Sequence, residues 1–251
     1  MLHDALGISL YKPAVIAFVG GGGKTTAMFR LAHELKALGK KVLVTTTTNI
    51  AVPEPGQCDI AMLEGCTDLG QLATLPAGTI VCLGGGLLHS EICKVKSVES
   101  AFIDELLASG WLDCILVEAD GAKRKPIKAP ADYEPVIPQS TTLVIGVIGL
   151  DSLGKAISEE TVHRCKLFCS LTGRKAGEPI DRESIIKLIL AEKGLFKGAP
   201  AASRKIVLLN KADTEVLIQQ GKQVAQELVR MQTSLDGCII ASLQQRTYMV
   251  L

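Results

Sequence analysis

Short continuous apolar runs alternate along this chain with stretches whose apolar residues recur every three or four positions. That alternation predicts βα units around a mostly parallel sheet. The run Ala14 to Val19 ends in glycines, so it predicts a central strand feeding a tight turn. From Thr25 to Leu38 the apolar residues Met28, Leu31, Leu35 and Leu38 keep helical spacing, and Gly39 is a natural stop. Lys41 to Thr45, Asp59 to Leu63 and Thr79 to Leu83 predict strands, followed by a helix from Val98 to Ala108. Asp113 to Val117 and Thr142 to Ile148 predict buried strands. Two helices come next without a strand between them. One spans Ser158 to Leu171 with Ser158 as its cap; the other is capped by Asp181 and ended by Gly194. They predict a small helical insertion or lid across residues 151–200. Lys205 to Leu209 resumes the sheet, Thr214 to Arg230 is helical, and Gly237 to Ala241 is the last predicted strand.

Composition narrows the picture only slightly. Of 251 residues 47% are apolar and 4% aromatic, so the core is mostly aliphatic. The net charge of +1 gives no global field for nucleic acid or an anionic membrane, and anion selectivity must come from local sites. Neither nucleic acid nor membrane is an expected partner. Eight scattered cysteines, several inside apolar runs, read as reduced thiols, and the opening MLHDALGISLYKP lacks the basic and apolar stretches of a signal peptide. A cytoplasmic location is expected. Cys165 and Cys169, four apart with His163 nearby, read first as helix packing, with a metal or selenium site as the alternative.

Between the first strand and its helix stands Gly20-Gly21-Gly22-Gly23-Lys24-Thr25-Thr26. The full Walker pattern needs an earlier glycine where this chain has Phe18, so the match is to the shorter GxxGKT. The chemistry tolerates the shortening. Glycines let backbone N–H groups approach phosphate oxygens, the helix N-terminus adds partial positive charge, and Lys24, expected to face solvent, supplies a point charge. Thr25 is the expected Mg²⁺ ligand. With no repeats and no low-complexity linker, the expectation is one continuous domain. Its class is α/β: a P-loop NTPase-like three-layer fold with a mostly parallel central sheet and the helical insertion.

Three further stretches fall where this fold gathers ligands, at the carboxyl edge of the sheet. Thr45 to Thr48 end the second strand, and Thr46 and Thr47 are either Mg²⁺ or phosphate contacts or β-branched residues finishing a strand. Glu118 and Asp120 leave a buried strand where P-loop proteins orient Mg²⁺ or an attacking water, which makes Lys24, Glu118 and Asp120 the candidate catalytic set. Lys123, Arg124, Lys125 and Lys128 follow, with Lys123 and Lys128 as candidate phosphate or substrate contacts. Finally Asn210-Lys211-Ala212-Asp213 follows a strand as an NKxD motif. Its Asp can accept from both N1–H and the 2-amino group of guanine while the Lys stem covers the base. Ser242 belongs to a tripeptide resembling the element beside guanine in GTP-binding proteins.

VGGGGKTT, VTTTTNI, VEADGAKRKPIKAPADYEPVIP and LLNKAD, in this order from Phe18 to Asp213, resemble the YqeC-type selenium-dependent hydroxylase accessory proteins. The resemblance implies a role in maturing selenium-dependent molybdenum hydroxylases, with such an enzyme or its cofactor-handling proteins as partner. The phosphate loop also resembles that of the Mur-type ligases, which use ATP. The leading expectation is therefore a maturation factor that binds GTP and Mg²⁺ and switches on hydrolysis. The alternative is an ATP-dependent small-molecule kinase or ligase acting on an acidic substrate, and a third reading is a module that holds nucleotide without turnover.

Overall fold

The structure, a computed structural model, describes residues 1–9, 11–64, 70–88 and 93–251. In chain order the elements are α1 (Leu2–Ala5), β1 (Ala14–Gly20), α2 (Lys24–Ala37), β2 (Val42–Thr46), β3 (Ile50–Ala51), β4 (Ile60–Met62), α3 (Gly70–Ala73), β5 (Ile80–Leu83), β6 (Leu87–Leu88) and β7 (Lys94–Val95). There follow α4 (Ser100–Ala108), β8 (Cys114–Glu118), β9 (Ile127–Lys128), β10 (Thr141–Gly149), β11 (Val162–His163), α5 (Cys165–Thr172), α6 (Arg182–Leu190), β12 (Arg204–Asn210), α7 (Glu215–Arg230), β13 (Gly237–Ser242) and β14 (Thr247–Val250). Nine strands form the central sheet in the order β14-β13-β12-β10-β1-β8-β2-β5-β4. Every pairing in it is parallel except β13 with β14.

Helices cover both faces, which is why the central strands read as nearly unbroken apolar runs. Alternation along β1 shows the division. Ile16 and Phe18 pack with α1 and α2, Val15 packs with Leu72 of α3 and Ile103 and Leu106 of α4, and Ala17 and Val19 pack with residues of α5, α6 and α7. The result is the expected three-layer P-loop-like α/β architecture. The phosphate loop sits at the carboxyl end of β1, between the ends of β8 and β10.

The differences from the sequence reading are local. The helix expected from Ser158 begins only at Cys165, because Val162 and His163 pair with Ile127 and Lys128 and Arg164 takes a left-handed φ of 66°, which no right-handed helix continues through. Asp181 caps α6 as expected, its side chain accepting from the Ser184 N–H, but α6 ends at Leu190 because Ala191 turns extended. These helices stand between β10 and β12, as the insertion predicts, yet Phe168, Ile185, Leu188 and Ile189 belong to the same core cluster as Val19 and Val144. They are part of a layer rather than a lid. Strand β14 was not legible, being short and largely exposed. Among the described residues seven cysteines are free thiols; Cys66 lies outside those residues.

Candidate functional site

The glycine run is shaped as much by its neighbours as by any ligand. Gly22 has φ +82°, and a Cβ there would lie 2.2 Å from the Gly149 nitrogen; Gly23 has φ +123°, and its Cβ would lie 2.5 Å from Asn210 Nδ2. Only glycine fits both the conformation and the space. The Gly20 N–H donates to Asp120 Oδ2 (3.1 Å), that of Gly21 to the Val147 carbonyl (2.9 Å) and that of Gly22 to the Lys125 carbonyl (3.0 Å). Gly23 is the N-cap of α2 and offers no side-chain cap. The amides at the head of α2 are thus the ones this short loop presents to an anion, with the helix dipole behind them.

Behind the loop runs an alternating line of buried charges. Lys24 is 4% exposed, not solvent-facing: its Nζ donates to the Gly20 carbonyl (2.7 Å) and lies 3.2 Å from Asp120 Oδ1 and 3.7 Å from Glu118 Oε1. Burial pushes its ammonium down, but Asp120 and Glu118 outweigh this and hold it above its ordinary value. Glu118 accepts from the Thr25 hydroxyl at 2.7 Å. Asp120 Oδ1 is buried and outside hydrogen-bonding alignment with every neighbour, while Oδ2 takes Lys128 at 3.0 Å. Lys128 then reaches Glu134 (2.8 Å) and the Gly121 carbonyl (2.6 Å), so its three N–H groups have three acceptors. Glu134 continues to Arg164 Nε at 2.7 Å, and Arg164 lies over the Tyr133 ring.

On the other side of the loop, Asn210 donates to the Gly22 carbonyl (2.7 Å) and accepts from the Leu243 N–H (3.2 Å). Lys211, at φ 64°, turns its side chain to Asp151 (3.0 Å). Asp213 is exposed; its Oδ1 accepts from the Ser242 hydroxyl at 2.5 Å, and Ser242 in turn accepts from the Gln245 N–H. Phosphate loop and NKxD motif are joined through Asn210 into one sheet-edge assembly.

The family model described as YqeC protein matches residues 16–166. The uncharacterized protein YqeC of Escherichia coli (strain K12) is 35% identical over 202 residues, covering 80% of this chain and 77% of that one. The chain belongs to the YqeC family. A chloroplastic homolog of cell division protein FtsY from Arabidopsis thaliana is 30% identical over 115 residues, 37% of this family member and 31% of the plant protein. Among solved structures, FtsY from Mycoplasma mycoides aligns with 98% of the chain and 60% of its own at 10% identity and a TM-score of 0.35, too low to bear on function.

In this YqeC family member most of the expected residues converge. Gly20 to Thr26, Glu118, Asp120, Asn210, Lys211, Asp213 and Ser242 all lie at the carboxyl edge around β1, with Thr26 exposed on the first turn of α2. Beside Lys24 one further expectation changes, at Lys128, and the two readings left open for Thr46 and Thr47 narrow. Lys128, expected to face phosphate, is 1% exposed and fully engaged inside. The hydroxyl of buried Thr46 shares its one proton between the carbonyls of Thr48 (2.7 Å) and Glu118 (2.9 Å), and that of Thr47 donates to the Val136 carbonyl, so both tie strand ends together. Lys123 is exposed at φ 48°, beside Arg124 at φ 60°, and remains a candidate anion contact. Glu134, Arg164 and Asp151 were missed. Asp151 was within reach of the same argument as Glu118, since it follows the strand that flanks β1 on the other side. Among the described residues no cluster of three metal-ligating side chains occurs, and no helix is long and apolar enough to cross a membrane.

Proposed function

We propose that this protein binds GTP with Mg²⁺ at the Gly20–Thr26 loop and serves in the cytoplasm as a maturation or accessory factor for a selenium-dependent molybdenum hydroxylase, its hydrolysis of GTP acting as the switch. The observation that carries the nucleotide reading is the Asn210 bridge, which fixes the Asp213–Ser242 pair relative to the phosphate loop. With the triphosphate at the head of α2, Lys24 leaves Asp120 for the β and γ oxygens. The hydroxyl of Thr25 and the carboxylate of Glu118 are the hard oxygen donors that suit Mg²⁺, an ion that takes few protein ligands and completes its shell with phosphate and water. Bound there, Mg²⁺ supplies charge neutralisation on the phosphates. Asp120, still held through Oδ2 by Lys128 and the Gly20 N–H, then has the Oδ1 that Lys24 vacates to orient the attacking water. Membership of the YqeC family and the four matching motifs support the accessory role.

Base competition tests the reading. ATP offers no donor at N1 and no 2-amino group to Asp213, so GTP is expected to win by up to about 10⁴-fold. Asp213→Asn is expected to exchange GTP for XTP. Equal ATP and GTP affinities with no shift in the variant reject the guanine assignment. They would favour instead an ATP-dependent kinase or ligase whose acidic substrate meets exposed Lys123 and Arg124.

A further inference from the structure

We infer that Asp151 is a positioning residue that holds Lys211 across the sugar and base end of the site and so sets its affinity for guanine nucleotides; this rests on the nucleotide reading above. Asp151 stands in the 3-10 turn Leu150–Ser152 directly after β10, at the same sheet edge as the phosphate loop. Its two oxygens have different surroundings. Oδ2 accepts from Lys211 Nζ at 3.0 Å, with the more exposed Lys155 at 3.6 Å. Oδ1 is buried with no hydrogen-bond partner beside Gly149, which itself backs on the loop: a Cβ built on Gly149 would lie 2.5 Å from this oxygen and 3.2 Å from Gly22 Cα.

A surface lysine free of such a tether samples many rotamers, and ordering it at the moment of binding weakens the ligand's hold. Here the left-handed backbone at Lys211 aims the side chain across the end of β10, and Asp151 receives it there before any ligand arrives. That is preorganisation, which acts on affinity without adding a contact. An ordinary exposed ion pair contributes little. This one differs in having its carboxylate against Gly149, the residue that crowds Gly22, and its lysine inside the base-reading motif. The buried Oδ1 is also left as an acceptor for a donor that comes with the ligand.

The test is calorimetry on the full chain with Mg²⁺, using GTP, ATP and inorganic tripolyphosphate as probes. The proteins are the wild type, Asp151→Ala, Asp151→Asn, Lys211→Met and the Asp151→Ala/Lys211→Met double variant. Asp151→Ala is expected to weaken GTP about tenfold, the size of a tight pairwise coupling. Tripolyphosphate, which touches no base-reading residue, should stay within about twofold of wild type by the same additivity. Asp151→Asn keeps an oxygen for Lys211 and should fall between. In the Lys211→Met background, removing Asp151 should cost nothing further. Additive losses, an equal loss of tripolyphosphate, or unchanged GTP binding by Asp151→Ala while Lys211→Met is weak would each overturn the inference and leave the guanine reading intact. Unchanged GTP binding by Lys211→Met would likewise overturn the inference, whereas the guanine reading itself falls only to equal ATP and GTP affinities in the wild type.

Discussion

Replacing Lys128 with methionine separates a lysine that builds the site from one that faces solvent. Its side chain is fully buried and bridges Asp120 and Glu134. Methionine keeps the length and volume, so no large cavity opens, but the charge vanishes between two carboxylates. Removing one partner of a buried ion pair costs about 3–5 kcal/mol. The lower end applies here, because Asp120 keeps the Gly20 N–H and Lys24 while Glu134 keeps Arg164 and the Ala131 N–H. A loss of about 3 kcal/mol lowers the melting temperature of a chain this size by about 6–12 °C. Lys123→Ala removes an exposed side chain and should stay within about 0.5 kcal/mol of wild type. Urea unfolding followed by circular dichroism measures both. Nucleotide or acidic-substrate binding should respond in the opposite order, falling for Lys123→Ala. A Lys128→Met protein within about 1 kcal/mol of wild type, or one no less stable than Lys123→Ala, refutes the assignment of Lys128 as an internal strut.

Three further outcomes are expected. Glu118→Gln and Asp120→Asn should each lower nucleotide hydrolysis by about 10²-fold or more while nucleotide still binds, measured by phosphate release at saturating nucleotide. Lys24→Ala should lose most triphosphate affinity and some stability together, since it strips a buried cation from Asp120 and Glu118; unchanged affinity by calorimetry would remove the loop from phosphate binding. Burial, with Lys128 and Arg164 beside it, pushes His163 down to about 4, below the unfolded value of about 6.5. The unfolded chain therefore takes up a proton that the native one refuses, and stability should fall as pH drops from about 6.5 to 4. His163→Asn should flatten that slope in urea titrations at several pH values.

The sheet was legible because strands buried on both faces leave continuous apolar runs, and the phosphate loop because its glycines fall between strand and helix. The placement of Glu118 and NKAD at the sheet edge was legible because each stands where a buried strand ends. What sequence could not give was direction. Lys123 and Lys128 look alike in a basic run, yet one stands on a left-handed turn and the other on β9, whose pairing with β11 faces it inward. That pairing is set by residues more than thirty positions downstream, which also shortened the helix expected from Ser158. Thr46 and Thr47 were ambiguous in sequence because a hydroxyl serves a carbonyl as readily as a metal ion.

The crowding around the glycine run has a consequence for how such loops are inherited. Each glycine is pressed by a different part of the fold: Val147 and Leu195 at Gly20, Lys125 and Ile127 at Gly21, Gly149 and Pro126 at Gly22, Asn210 at Gly23. A descendant that abandoned nucleotide altogether would still need all four to close its sheet edge. The glycines therefore record architecture, and on the function proposed above the chemistry rests with Lys24, Thr25, Glu118 and Asp120, which contact one another. A relative carrying four glycines without that quartet would be a fossil of the site rather than a working copy.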